Sequence, residues 1–129
     1  MVSLLLIAKD RKFLLLRRSE SEHNYSGMWG LPGGGVEENE TPTDAVIREV
    51  KEETGLDIPN ARLLNRYKYH NTHINVFVYN SKDFDPNQIV LNEEHTEWKM
   101  FNYYELYQMR DIIPSTVRYI GDFLSNPEF

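Results

Sequence analysis

The stretch REVKEETGL, Arg48 to Leu56, sets Glu49, Glu52 and Glu53 close together with one arginine among them. On a helix, like charges three or four residues apart repel, each pair costing roughly 0.2–0.5 kcal/mol. Arg48 alone does not cancel three glutamates. Either the face lies in water or it holds a cation. At about 100° per residue, Val46, Ile47 and Val50 share one side, while the three glutamates span an arc of about 100° centred near Ala45. A small residue there leaves room for an approaching group. Clustered carboxylates are hard oxygen ligands, suited to Mg²⁺ or Mn²⁺ rather than zinc. Arg48 lies one turn before Glu52 and can hold its rotamer. The run Gly33-Gly34-Gly35 upstream lets backbone groups come close to an ion or a phosphate.

These residues need a scaffold. Thr41 can cap a helix, Pro42 suits its first turn, Asp44 follows three residues after the cap, and Gly55 supplies a stop. Thr41 to Thr54 is therefore predicted as a helix. Val2 to Lys9 and Lys12 to Arg18 are apolar runs around a polar turn and read as a hairpin. That reading also suits the opening MVSLLLIAKDRKFLLLRR better than a signal peptide does, since its basic residues follow the apolar ones. Ser19 to Gly35 is polar, rich in glycine and reads as loop. Ala61 to His70 and His73 to Asn80 read as strands, the latter from the alternation of Ile74, Val76 and Val78. Glu97 to Phe101 reads as a short strand, Asn102 with Glu105 as a capping box, and the segment after Pro114 as a helix with Val117, Ile120 and Leu124 on its apolar side. Strands and helices mix, with the helices packed on a sheet.

From Gly34 to Leu56 the sequence reads G-x5-E-x7-R-E-V-x-E-E-x-G-L, with Gly34, Glu40, Arg48, Glu49, Val50, Glu52, Glu53, Gly55 and Leu56 in the defined positions. Average residue usage makes a chance match on the order of 10⁻⁹ per start position. The pattern resembles the box of the Nudix (MutT-like) hydrolases without departure, and the flanks LLLRR and MWGLPGGGVEENET are similar to that family's lead-in. The resemblance implies a single domain over residues 1–129, an α/β/α sandwich around a mixed β-sheet. It further implies Mg²⁺-dependent hydrolysis of nucleoside diphosphates linked to another moiety, with Mn²⁺ as an alternative ion. On the same resemblance, Glu52 and Glu53 hold the tightest ion with the Gly33 carbonyl opposite, and Glu49 binds a second ion or deprotonates water. Arg48 orients Glu52, while Glu40 and Gly55, and Gly34 in part, are structural. The family's further acid comes from a downstream loop. Here LNEEHTEW offers Glu94, favoured as ligand or base, with Glu97 as the alternative. His95 reads as a surface histidine.

For substrate contacts the sequence offers Arg17 and Arg18 at a strand end, Gly34 in the glycine run, and Tyr79 among the aromatic residues Tyr67, Tyr69 and Phe77 of the later strands. Sheet packing competes as the reading of all four aromatics. Trp29 and Trp98 are expected to pack beside the site. No marker of a dinucleoside polyphosphate, NADH or ADP-ribose subfamily stands after the box, which leaves a small nucleotide, a nucleoside triphosphate first. An RNA 5′-pyrophosphohydrolase and a non-catalytic nucleotide-binding module are the rival readings. A formal charge of −6 disfavours a nucleic-acid partner. No apolar run of about 18 residues suggests a membrane span. The chain has no cysteine, which excludes disulfides and thiolate ligands and makes a cytoplasmic location the expectation. Members of the family are often dimers, so the resemblance allows a homodimer, although no apolar patch in the sequence identifies an interface.

Overall fold

A computed structural model describes residues 1–129. The two apolar runs at the start form β1 (Val2–Lys9) and β2 (Lys12–Arg18). Asp10 and Arg11 between them both take positive φ, 51° and 62°, as a tight hairpin turn requires. Both strands lack alternation because both of their faces are buried. Leu5, Ile7, Leu14 and Leu16 point to one side, against Val46 and Val50. Leu6, Ala8, Phe13 and Leu15 point to the other, against Ile120 and Phe123.

The glycine-rich stretch expected as loop contains two short strands, β3 (Trp29–Gly30) and β4 (Gly33–Gly35). Glycine is a poor strand former, but here the absence of side chains is what permits pairing. A Cβ at Gly33, whose φ is +142°, would run into the Ser3 carbonyl of β1. Helix α1 (Pro42–Thr54) follows, capped by Thr41 Oγ1, which accepts from the Asp44 N–H at 3.1 Å, and stopped by Gly55 in the left-handed region. Then come β5 (Arg62–Tyr69), β6 (Thr72–Asn80), a 3₁₀ turn over Pro86–Gln88, β7 (His95–Asn102), α2 (Tyr103–Leu106) and α3 (Pro114–Leu124).

The sheet is mixed. β1 runs parallel to β6, with Leu5 opposite Phe77, and antiparallel to β2 and β4. β5 pairs antiparallel with β6, and β2 carries β3 and β7. Helix α1 covers one face and α3 the other, which is the layered arrangement expected from the sequence. The capping box of Asn102 and Glu105 forms at α2. The last helix differs from expectation in its orientation: Thr116, Tyr119, Ile120 and Phe123 are buried, while Leu124 is 47% exposed. Phe123 meets Phe13 edge-on at 6.0 Å and takes the place assigned to Leu124. No helix is long and apolar enough to cross a membrane.

Candidate active site

Helix α1 lies against β4, and its acidic residues fall at three different depths. Glu52 is at the surface, its side chain 53% exposed. Glu49 is mostly covered and sits over Gly34, where a Cβ would come within 2.6 Å of the Glu49 carboxyl carbon. Glu53 is buried, 2% exposed, and its Oε1 accepts the Gly33 N–H at 2.8 Å. The expected acidic arc is therefore not one open face. Glu53 neighbours Val46 on the wheel and is carried inward with it.

Arg48 binds this array together more broadly than expected. Its Nε and Nη2 grip Glu40 at 2.7 and 3.0 Å, and Nη2 also donates to the Gly35 carbonyl at 3.1 Å. Nη1 reaches Glu49 at 3.1 Å and Glu52 at 3.2 Å. Glu40 in turn accepts the Glu37 N–H at 3.0 Å. A forked guanidinium–carboxylate pair is among the strongest polar contacts available to a protein. Arg48, with the Glu37 N–H helping, draws the Glu40 carboxyl down to about 2. So Glu40 fixes Arg48, and Arg48 fixes Glu49 and Glu52.

The downstream acids separate cleanly. Glu94 comes within reach of Glu53, whereas Glu97 points to Arg17 in an ion pair of 3.2 Å. His95, expected at the surface, is buried at 7% exposure. The cause is a bulge. Arg17 pairs with Glu97 but Arg18 pairs with His95, so Thr96 is skipped, and a bulge of this kind re-aims the side chains beside it.

Burial pushes Glu53 up to about 9, and the carboxylates of Glu49 and Glu94 push the same way against the Gly33 N–H. Burial also raises Glu49, with Arg48 opposing it. Burial, and then Arg18, lower His95 to about 4. Three carboxyl groups thus face one another with Arg48 reaching only Glu49 among them; His95 lies beside Glu53 and Glu94, and its Nδ1 is shut from solvent without a partner. Carboxyl groups that resist one another's ionisation, with a buried imidazole beside them, fit a divalent cation, which would favour their charged form. Glu53, Glu94 and Glu49, with Glu52 at the outer edge, are the residues that could hold it.

A cleft of about 690 Å³ opens beside the cluster. Gly33, Gly34, Arg18 and His95 line the end nearest the carboxylates, and Tyr25, Tyr69, Ile74 and Tyr119 its apolar part. Of the expected substrate contacts, Arg18 and Gly34 border this cleft. Arg17 does not: its guanidinium is held by the Gly27 carbonyl at 3.0 Å and by Glu97. Tyr79 does not either, because strand alternation turns it to the opposite face with Phe77, among the side chains under α1. Tyr67 packs inside on Tyr119 and donates to Asp122 at 2.6 Å. Trp29 stacks edge-on against Phe101 at 5.2 Å, outside the cleft. Tyr25 had no recognisable signal, since only the fold brings it to the cleft.

A NUDIX domain model matches residues 1–120. Over 87 residues the chain is 41% identical to an ADP-ribose pyrophosphatase of Methanocaldococcus jannaschii, covering 67% of this chain and 43% of that protein. Over 67 residues it is 42% identical to an RNA pyrophosphohydrolase of Hydrogenovibrio crunogenus, covering 52% and 38%. Over 57 residues it is 39% identical to an 8-oxo-dGTP diphosphatase of Proteus vulgaris, covering 44% and 50%. The matched stretch thus spans half or less of these relatives' lengths. Among solved structures, a MutT protein from Methanosarcina mazei superimposes with a TM-score of 0.75 at 25% identity, covering 97% of this chain and 94% of that one. With the NUDIX model matching nearly the whole chain and the fold agreeing, this chain belongs to the Nudix family.

Proposed function

We propose that this chain hydrolyses a phosphoanhydride bond in a nucleoside diphosphate derivative with the help of a divalent cation, a nucleoside triphosphate being the favoured substrate. One observation carries the reading: buried Glu53 and half-buried Glu49 and Glu94 face one another beside Gly33, Gly34 and His95, which line one end of a cleft that also carries three tyrosines. An anionic chain of phosphates cannot approach bare carboxylates, whereas a bound cation neutralises phosphate oxygens and acidifies a water. The aromatic wall suits a base, since Tyr25, Tyr69 and Tyr119 offer stacking surface.

The chain's own residues supply the rest. Gly33 and Gly34 let the phosphates pass close to the backbone, and Arg18 borders their path. Water attacks the phosphorus in line. As the new P–O bond forms, the bridging P–O bond breaks and its electron pair leaves with the departing phosphate. The water's proton passes to a carboxylate, Glu49 or Glu94, of which Glu49 is already braced by Arg48 at 3.1 Å. The cleft does not favour a polynucleotide: Arg18 is its one arginine and it has no lysine, where a nucleic-acid track needs a row of cations.

The test is phosphate and pyrophosphate release from normal and oxidised nucleoside triphosphates, ADP-ribose, dinucleoside polyphosphates and triphosphorylated RNA, each with Mg²⁺, Mn²⁺ or EDTA. Metal-dependent turnover of triphosphates above the others is expected. Turnover of RNA ends alone would replace the substrate, and no turnover by folded, metal-loaded protein would replace catalysis with binding.

A further inference from the structure

His95 does not fit the role of a bystander. It is 7% exposed, and its Nδ1 is cut off from solvent with no hydrogen-bond partner. Buried ring nitrogens in folded proteins are ordinarily paired. Here a ring nitrogen of His95 and a carboxylate oxygen each from Glu53 and Glu94 all lie within 4.8 Å of one another. Ligand atoms about 2.0–2.2 Å from a shared ion stand at most about 4.4 Å apart. Donor atoms within 4.8 Å of one another therefore stand at or near the separation one ion requires.

Each donor is positioned by a separate device. Glu53 is tied by the Gly33 N–H on its Oε1 and faces Glu94 with its carboxyl group. The loop before β7 is fixed by the Glu94 N–H on Asn92 Oδ1 at 3.1 Å. His95 is turned inward by the bulge that skips Thr96. The remaining histidines, His23, His70 and His73, are exposed. Nothing in the packing of β7 demands an imidazole at position 95, because the residue's polar atom is left unsatisfied there.

We propose that His95 is a nitrogen ligand in the cation site it shares with Glu53 and Glu94, so that this chain prefers a first-row transition ion such as Mn²⁺ over Mg²⁺. The proposal rests on the cation-assisted reading given above and adds to it a ligand and a metal preference. Mg²⁺ retains water and oxygen ligands, whereas an imidazole nitrogen favours transition ions. The preference of Mn²⁺ over Mg²⁺ is expected to be about tenfold or more.

Pulsed electron paramagnetic resonance of the Mn²⁺-loaded full chain reads the ligand directly. The expected result is a directly bound nitrogen coupling that changes when the histidines carry ¹⁵N. It persists when His23, His70 and His73 are all replaced by Gln, leaving His95 alone, and disappears in His95→Gln. Titration of Mn²⁺ against Mg²⁺ should show the preference shrinking in the same variant. If His95→Gln does not fold, the isotope effect in the protein retaining only His95 decides the matter. Bound Mn²⁺ without nitrogen coupling overturns the assignment of His95 while the oxygen-ligated site stands. Failure of Mn²⁺ to bind at all overturns both.

Discussion

Glu53→Gln isolates the buried charge from the side chain's other tasks. The amide keeps the shape and can still accept the Gly33 N–H that Glu53 accepts at 2.8 Å, but it carries no charge for a cation. In EDTA the wild-type carboxyl is 2% exposed among the acids of Glu49 and Glu94. Relieving that burden should stabilise the metal-free fold by about 1–3 kcal/mol. The metal term goes the other way. Cation at a hundredfold over its dissociation constant stabilises the wild type by about 2.7 kcal/mol. For a chain of this size, 1 kcal/mol moves the melting temperature by about 3–5 °C. Thermal unfolding followed by circular dichroism, in EDTA and in saturating Mn²⁺, should therefore show a wild-type gain of about 8–14 °C. Glu53→Gln should begin higher in EDTA and gain almost nothing from metal. Glu52→Gln is the control, because its carboxylate is half-exposed: its EDTA melting point should match wild type while turnover collapses. A Glu53→Gln protein that melts lower in EDTA and keeps the full metal gain would show that the buried carboxylate serves packing, and the site reading fails.

Gly34→Ala would push a methyl to within 2.6 Å of the Glu49 carboxyl carbon; displacing Glu49 should cut turnover at least about tenfold with a stability loss of about 1–3 kcal/mol or less, measured by steady-state rate and urea unfolding. Tyr69→Ala, at an exposed cleft-lining position, should raise KM several-fold, leave kcat near wild type, and change stability by about 0.5 kcal/mol or less; an unchanged KM removes Tyr69 from the base wall. Glu40 is held at about 2 by Arg48 and the Glu37 N–H, below its unfolded value, so its contribution is complete above about 4.5 and fades as the pH falls toward 2. The urea midpoints of wild type and Glu40→Gln should accordingly differ at pH 7 and converge between pH 4.5 and 2, which a pH series of unfolding curves checks. Thr41→Ala removes the cap on the Asp44 N–H and should cost about 1 kcal/mol without altering metal affinity.

What could be read from the chain was what depends on neighbours in sequence. Thr41, Pro42 and Gly55 define both ends of α1 because capping is local chemistry, and the hairpin of β1 and β2 follows from two apolar runs around a polar turn. The glutamates of α1 were legible as a cluster, but a wheel gives angle and not depth. Glu53 lies beside Val46, so the packing that seats α1 on β1 and β4 carries Glu53 inside with it. Depth is set by the sheet, and the sheet is assembled from β1, β4 and β6, segments far apart in the chain. For the same reason Gly33 to Gly35 read as loop: it is a strand only because β1 lies beside it. His95 was the hardest, since one skipped residue in the pairing of β2 with β7 decides whether it faces water or Glu53. Arg17 and Tyr79 lie away from the cleft for the same reason, one drawn off to Glu97 across the ladder and the other turned under α1 by alternation. These placements share a physical origin. A site that must bury charge cannot be stabilised by local preference, so its decisive residues are those whose placement the tertiary fold imposes against their own solvation. Glu53 and His95 are the two such residues here, and they lie together.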